Sequence, residues 1–250
     1  MKSTVLFVTA LGWEAHTILR HLPAFPQQRI DRLTLWRASR GDWDVWVLKG
    51  GIGSESTRKA VRWAAEFVRP SAIVSAGCAG ALSPDVGVGD LVVGAEVCTA
   101  GGSAHRSSPE WVNRYREAAI AAGVTARFGR LLTSPVVIAA AEDKQRVGRE
   151  TESLAVEMEG AAVAEWAREA GVEFVAARAI LDSVSMTLPD MTRLVGPGGR
   201  PRLGRLLLTV LRHPPILLSF MALRAAMQQC QASLSAVHAE LLSRIARDQR

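Results

Sequence analysis

The sequence predicts an α/β chain: a three-layer, mostly parallel, twisted mixed sheet flanked by helices, with an added apolar, arginine-rich helical segment at the C-terminal end. Three observations carry this. Short apolar runs such as TVLFVTA (4–10) and AIVSA (72–76) have the character of strands covered on both faces, as parallel sheets are. Stretches with helical spacing separate these runs. Glycine-rich turns, Gly50-Gly51-Ile52-Gly53 and Gly77-Cys78-Ala79-Gly80, punctuate the alternation.

Taken in order, 4–10 is a first strand and 13–22 a helix; 32–39 and 45–48 are two strands around the turn at Gly41 and Asp42. A helix over 54–68 precedes the strand at 72–76, and 86–97 is a turn entering another strand. There follow a helix over 109–122, a strand over 127–132, a short helix over 139–148, a strand over 155–158, a helix over 160–170 and a last strand over 174–181. At 194–201 (LVGPGGRP) three glycines and two prolines sustain neither regular structure. This divides the chain into an α/β domain, 1–193, and a linker with an amphipathic helical extension, 194–250, that packs on or beside it. His213-Pro214-Pro215 splits the extension into two helices, the second over 216–245.

Composition narrows the class. With 48% hydrophobic and 22% charged residues, the chain is neither disordered nor fibrous. Cys78, Cys98 and Cys230 form no CxxC pair, and the five histidines form no ligand spacing, so neither a disulfide framework nor a metal is expected. The N-terminal run meets Glu14 before any small-residue cleavage site and does not read as a secretory signal, and no stretch reaches the roughly 18 apolar residues of a membrane span. A cytoplasmic location is expected. The eight arginines of 200–250, against Glu240 and Asp248, account for the whole net charge of +6. They are interleaved with Leu, Ile, Phe and Met and not with stacking aromatics, which favours a lipid surface over nucleic acid. Peripheral contact with the inner face of the membrane through 200–225 is therefore expected, with packing on a subunit or on the chain's own domain as the other reading.

In open parallel sheets, ligands lie beyond the carboxyl ends of strands. That rule selects Glu14, the turn 77–80, Glu157 and Glu159 around Met158, and Asp182. Each also has a plain structural reading. Asp182 could cap a helix, Glu157 and Glu159 could be first-turn acids, Met158 could fill the core, the glycines could serve turns and Cys78 could be a small buried hydrophobe.

TALGWEA, KGGIGSES, SAGCAGAL, GVGDLVVG, AVEMEGAAVA and ARAILDS occur in the order and approximate spacing of the purine nucleoside phosphorylase superfamily, and the chain resembles most its methylthioadenosine/S-adenosylhomocysteine nucleosidase branch. The likeness covers about residues 1–190. It implies a nucleoside phosphorylase-like fold, a homodimer, no cofactor, and cleavage of a purine from ribose. Asp182 then matches the acid that protonates the base, Glu159 the carboxylate that grips the ribose hydroxyls, Met158 the apolar residue beneath the sugar, and Glu14 the base that activates water. Glu157, Cys78, Ala79 and Gly80 complete the substrate-binding set, and Ser134 and Ile138 fall where the purine would stack. Ser75 stands near the place where phosphorylases carry an arginine, so hydrolysis is favoured, with Arg20 and Arg58 keeping a phosphate-dependent alternative open. Leu181 replaces the serine that commonly precedes the acid, so the hydrogen bond orienting Asp182 is absent or comes from Ser183. The C-terminal segment is similar to that of hopanoid-associated nucleoside phosphorylase-like proteins, which implies a lipid-linked adenosine, adenosylhopane, as substrate. The alternatives are a methylthioadenosine/S-adenosylhomocysteine nucleosidase and a binding module without catalysis.

Overall fold

The computed structural model describes residues 3–23, 25–188 and 215–247. The glycine- and proline-rich break, the first C-terminal helix and most of the stretch expected at a membrane lie outside the described residues. Ten strands and six helices are described: β1 (Ser3–Thr9), α1 (Gly12–Leu19), β2 (Phe25–Ile30), β3 (Leu33–Arg40), β4 (Trp43–Lys49), α2 (Ser54–Ala64), β5 (Ala72–Ala81), β6 (Leu91–Thr99), β7 (Ala104–Arg106), α3 (Pro109–Ala121), β8 (Ala126–Thr133), α4 (Ala141–Thr151), β9 (Ser153–Glu157), α5 (Gly160–Ala170), β10 (Glu173–Asp182) and α6 (Pro215–Ile245).

They form one mixed sheet in the order β10-β6-β8-β9-β5-β1-β4-β3-β2, with β7 attached to β6. β1 runs parallel to β4 and β5, and β5 runs parallel to β10. β5 also pairs with β9, so β5, β10, β6, β8 and β9 close into a ring. A ten-residue strand makes this possible, since its far end, Gly80 and Ala81, reaches β9 beyond the stretch paired with β1.

Two apolar layers follow from the period-two alternation of side chains. Val5, Phe7, Val47, Val74 and Val175 point to one face, where α1, α3 and α6 contribute Ile18, Trp111, Tyr115, Leu234 and Leu241. Leu6, Val8, Leu48, Ile73 and Ala176 point to the other, covered by Ala60 and Val61 of α2 and Val163 and Ala167 of α5. Burial on both faces is why the strands read as continuous apolar runs. β2 and β7 escape the sequence reading because both are edge strands of polar composition, and β2 carries Pro26.

α6 carries buried Cys230, Leu234, Val237, Leu241 and Ile245, at helical spacing, into the first layer. Among the described residues no helix is long and apolar enough to cross a membrane.

Candidate active site

A cavity of about 320 Å³ opens beyond the carboxyl ends of β1, β5, β9 and β10, and Glu14, Glu159 and Asp182 all line it. So do Cys78, Ala79, Gly80, Glu157, Met158 and Ile138. A larger groove of about 690 Å³ beside α3 offers arginines but only Glu96 as an acid.

Glu14 sits in the first turn of α1, where helix N–H groups lack partners. One oxygen accepts from the amides of Ala10 (3.0 Å) and Leu11 (2.8 Å), the other from Cys78 N–H (3.0 Å). Burial nevertheless dominates and raises its pKa above the usual carboxylate value, against the pull of these amides and of Arg178. A base with raised pKa holds a proton more willingly near neutrality. β5 makes room for it: a Cβ at Gly77 would lie 2.6 Å from Glu14 Oε1.

Glu159 stands between β9 and α5, and its Oε1 accepts from Gly53 N–H at 2.7 Å. Gly53 has φ +90°, a conformation that L side chains rarely adopt, and in it the amide donates to Glu159. Glu159 Oε2 takes no hydrogen bond from the described residues. Burial, with the neighbouring Glu157 charge second, pushes its pKa up to about 7. Met158 is fixed by its carbonyl, which accepts from the Ser54 hydroxyl at 2.8 Å.

Glu157 is held from every side. Its carboxylate accepts from the Glu159 and Gly160 amides (2.9 and 2.6 Å), from the Thr133 hydroxyl and from Arg178 Nη2 (2.6 Å). Thr133 Oγ1 in turn accepts from Ala161 N–H, so the first turn of α5 is capped by β8 and β9 together. Arg178 is 2% exposed and also donates to the Ser75 carbonyl and hydroxyl (2.5 and 2.8 Å). Burial works against its charge, but Glu157, Glu159 and Glu14 outweigh that and raise its pKa. Arg178 is thus the cation that lets three acids share one site.

Asp182 ends β10 after a bulge at Leu181, which sets it opposite Gly80. A Cβ at Gly80 would lie 3.0 Å from the carboxylate, so here too glycine is the space an acid occupies. Its partner is Lys144 of α4, wholly buried, whose ammonium also donates to the carbonyls of Ser183 (3.1 Å) and Met186 (2.7 Å). Burial raises the Asp182 pKa, opposed by Lys144.

Three expectations are corrected. The Asp182 carboxylate is oriented by Lys144 and not by Ser183, whose hydroxyl turns to Ser185 (3.2 Å). Ser134 does not line the cavity; its hydroxyl bonds the Val136 backbone in a local turn, and Val136 and Val137 face the cavity in its place. Arg58 pairs with Glu165, and neither it nor Arg20 reaches the cavity. Burial pushes the Cys78 thiol well up, so it supplies no thiolate. Arg178 is legible in the sequence as a lone charge inside an apolar strand. Lys144 is not, because AEDKQRVGRE has the composition of a solvated helix.

The profile of the Phosphorylase superfamily matches residues 4–212, most of the chain. The chain belongs to the Phosphorylase superfamily. Within it, a 5'-methylthioadenosine/S-adenosylhomocysteine nucleosidase of Geobacillus kaustophilus is 34% identical over 154 residues, 54% of this chain and 66% of that protein. A nucleosidase of the same description from Haemophilus ducreyi is 26% identical over 199 residues, 73% of this chain and 86% of that one. The match thus spans slightly less than two thirds of the Geobacillus relative. Among solved structures, the superfamily fold recurs in the Neisseria meningitidis nucleosidase in complex with methylthio-immucillin-A (TM-score 0.77, 18% identity, 98% and 100% of the two chains). It recurs also in futalosine hydrolase of Helicobacter pylori (TM-score 0.76, 15% identity, 98% and 99%). At these identities the likeness is one of fold.

Proposed function

We propose that the chain is a purine nucleosidase that hydrolyses the N-glycosidic bond of an adenosine-type nucleoside and releases adenine. The observation that carries this reading is the convergence of Glu14, Glu159 and Asp182 on one cavity. Cleavage builds positive charge on the sugar and negative charge on the base, and the cavity has carboxylates for the first and a proton donor for the second. Asp182 protonates the purine, Glu159 uses its free oxygen to hold the ribose hydroxyls above Met158, and Glu14 takes a proton from the attacking water.

Water is favoured over phosphate on electrostatic grounds. At the sugar end three carboxyls, Glu14, Glu157 and Glu159, face one cation, Arg178, which is already engaged by Glu157 and Ser75. A phosphate dianion entering that excess of acid meets net repulsion at low dielectric, whereas an oxocarbenium-like sugar is stabilised by it. The described relatives are nucleosidases, which supports the same choice.

The favoured substrate is a lipid-linked adenosine, adenosylhopane. Ile52, Val136 and Val137 are more than half exposed at the cavity and Leu188 and Leu223 join them, an apolar rim suited to a greasy 5′ substituent. Methylthioadenosine and S-adenosylhomocysteine are the second reading, favoured by the names of the relatives. A homodimer and peripheral membrane contact belong to the same proposal.

Adenine release from methylthioadenosine, S-adenosylhomocysteine and a lipid-linked adenosine, each with and without phosphate, tests it. Release independent of phosphate is expected, and strict dependence on phosphate refutes the hydrolytic reading. Faster turnover of the small nucleosides removes the lipid. Asp182→Asn should lower kcat by roughly 10²–10⁴-fold, the usual contribution of a general acid.

A further inference from the structure

Lys144 carries no exposed surface, yet it sits in a helix whose other charges face water: Arg146 pairs at the surface with Asp143 and Glu150. A fully buried lysine is rare unless paired. Its three ammonium hydrogens have three acceptors, the Asp182 carboxylate and the carbonyls of Ser183 and Met186, so the cation has one orientation. Asp182 Oδ1 receives no hydrogen bond from the described residues, and Asp182 lines the cavity.

We propose that Lys144 is a positioning residue for the leaving-group acid: it clamps one oxygen of Asp182 so that the other faces the base, and it stabilises the carboxylate left when the proton has gone. The proposal rests on the reading of Asp182 as that acid. As the C1′–N bond breaks, its electron pair stays with the purine. The carboxyl proton passes to the purine's imidazole nitrogen, and water gives its oxygen to C1′ and a proton to Glu14. Negative charge therefore appears on Asp182 at the moment of departure, beside a cation that has nowhere else to turn. The other charged groups at the cavity are Glu14 of α1, Glu157 of β9 and Glu159 before α5, with Arg178 of β10 buried behind Glu157. Arg178 is engaged by Ser75 and Glu157, so among the described residues Lys144 is the cation on Asp182.

The experiment is a double-mutant cycle of Lys144→Met and Asp182→Asn, with pH–rate profiles on whichever adenosine nucleoside the wild type cleaves. Lys144→Met should lower kcat about 10²-fold, within the range of acid catalysis, with KM nearly unchanged. Its high-pH limb should move upward, because the carboxylate has lost its stabilising charge. Added to Asp182→Asn it should cost nothing more. A uniform fall in rate with an unmoved limb, or additive losses in the cycle, overturns the proposal. Lys144→Gln repeats the test should the methionine variant not fold. Independently of any Lys144 variant, the Lys144 15Nζ resonance should shift or vanish in Asp182→Asn, and an unchanged resonance overturns the pairing. Full activity in Asp182→Asn sinks the underlying reading instead, whereas loss there with wild-type behaviour in Lys144→Met sinks this inference alone.

Discussion

At the end of the cavity built by β1, β9 and α5, three carboxyls, Glu14, Glu157 and Glu159, share one buried cation, Arg178; at the end built by β10 and α4, Asp182 has the Lys144 ammonium to itself. Both ends are buried, so desolvation is common to them and the difference lies in how cations are distributed. At the shared end, burial and then the adjacent Glu157 charge, which Arg178 only partly offsets, push the Glu159 pKa up to about 7. An exclusive partner checks the rise that burial imposes on Asp182. Excess acid suits a place where positive charge develops, and a private ion pair suits a group whose own charge changes during the reaction.

The comparison breaks most visibly by uncoupling the shared cation. Glu157→Gln leaves Arg178 buried without its closest anion and should cost about 3–5 kcal/mol in urea denaturation. Glu14→Gln should cost less, because backbone amides rather than Arg178 bond that carboxylate. Equal losses would mean that Arg178 does not organise the cluster. Next in size, Gly77→Ala drives a methyl group against Glu14 and should cost about 1–3 kcal/mol, more than Gly80→Ala, where the approach to Asp182 is looser. Thermal melting of the two variants side by side checks the order. The last effect is the pH dependence of stability. A carboxyl with raised folded pKa binds its proton more tightly in the native state, so its contribution is whole below the ordinary 4.5 and is lost as pH rises through about 7. Stability should therefore fall between pH 4.5 and 7, with Glu14 and Asp182 adding in the same direction. Glu159→Gln should flatten part of that slope; an unchanged slope places the titration elsewhere.

The sheet was legible in the sequence because strands buried on both faces announce themselves as apolar runs, and Glu14, Glu159 and Asp182 stood out as charges directly after them. Edge strands β2 and β7 were not, since half-exposed strands have polar composition. The closure of the ring through β5 depends on pairings between distant segments, which no local pattern records. The two cations differ: Arg178 is legible as a lone charge inside an apolar run, whereas Lys144 is hidden in a helix whose composition has the pattern of a solvated face. Ser134 misled because a hydroxyl near a site is as readily spent on its own turn as on a ligand.

Gly77, Gly80 and Gly160 each lie where a Cβ would strike a carboxylate, of Glu14, Asp182 and Glu157 respectively. A single added methyl group crowds a carboxyl oxygen at each of the three, most tightly at Gly77 and least at Gly80, while every acid stays chemically intact. Random mutagenesis scored by activity should accordingly find these hydrogen-only positions as intolerant as the acids themselves, and anyone redesigning the pocket must treat bare backbone as part of its reactive machinery.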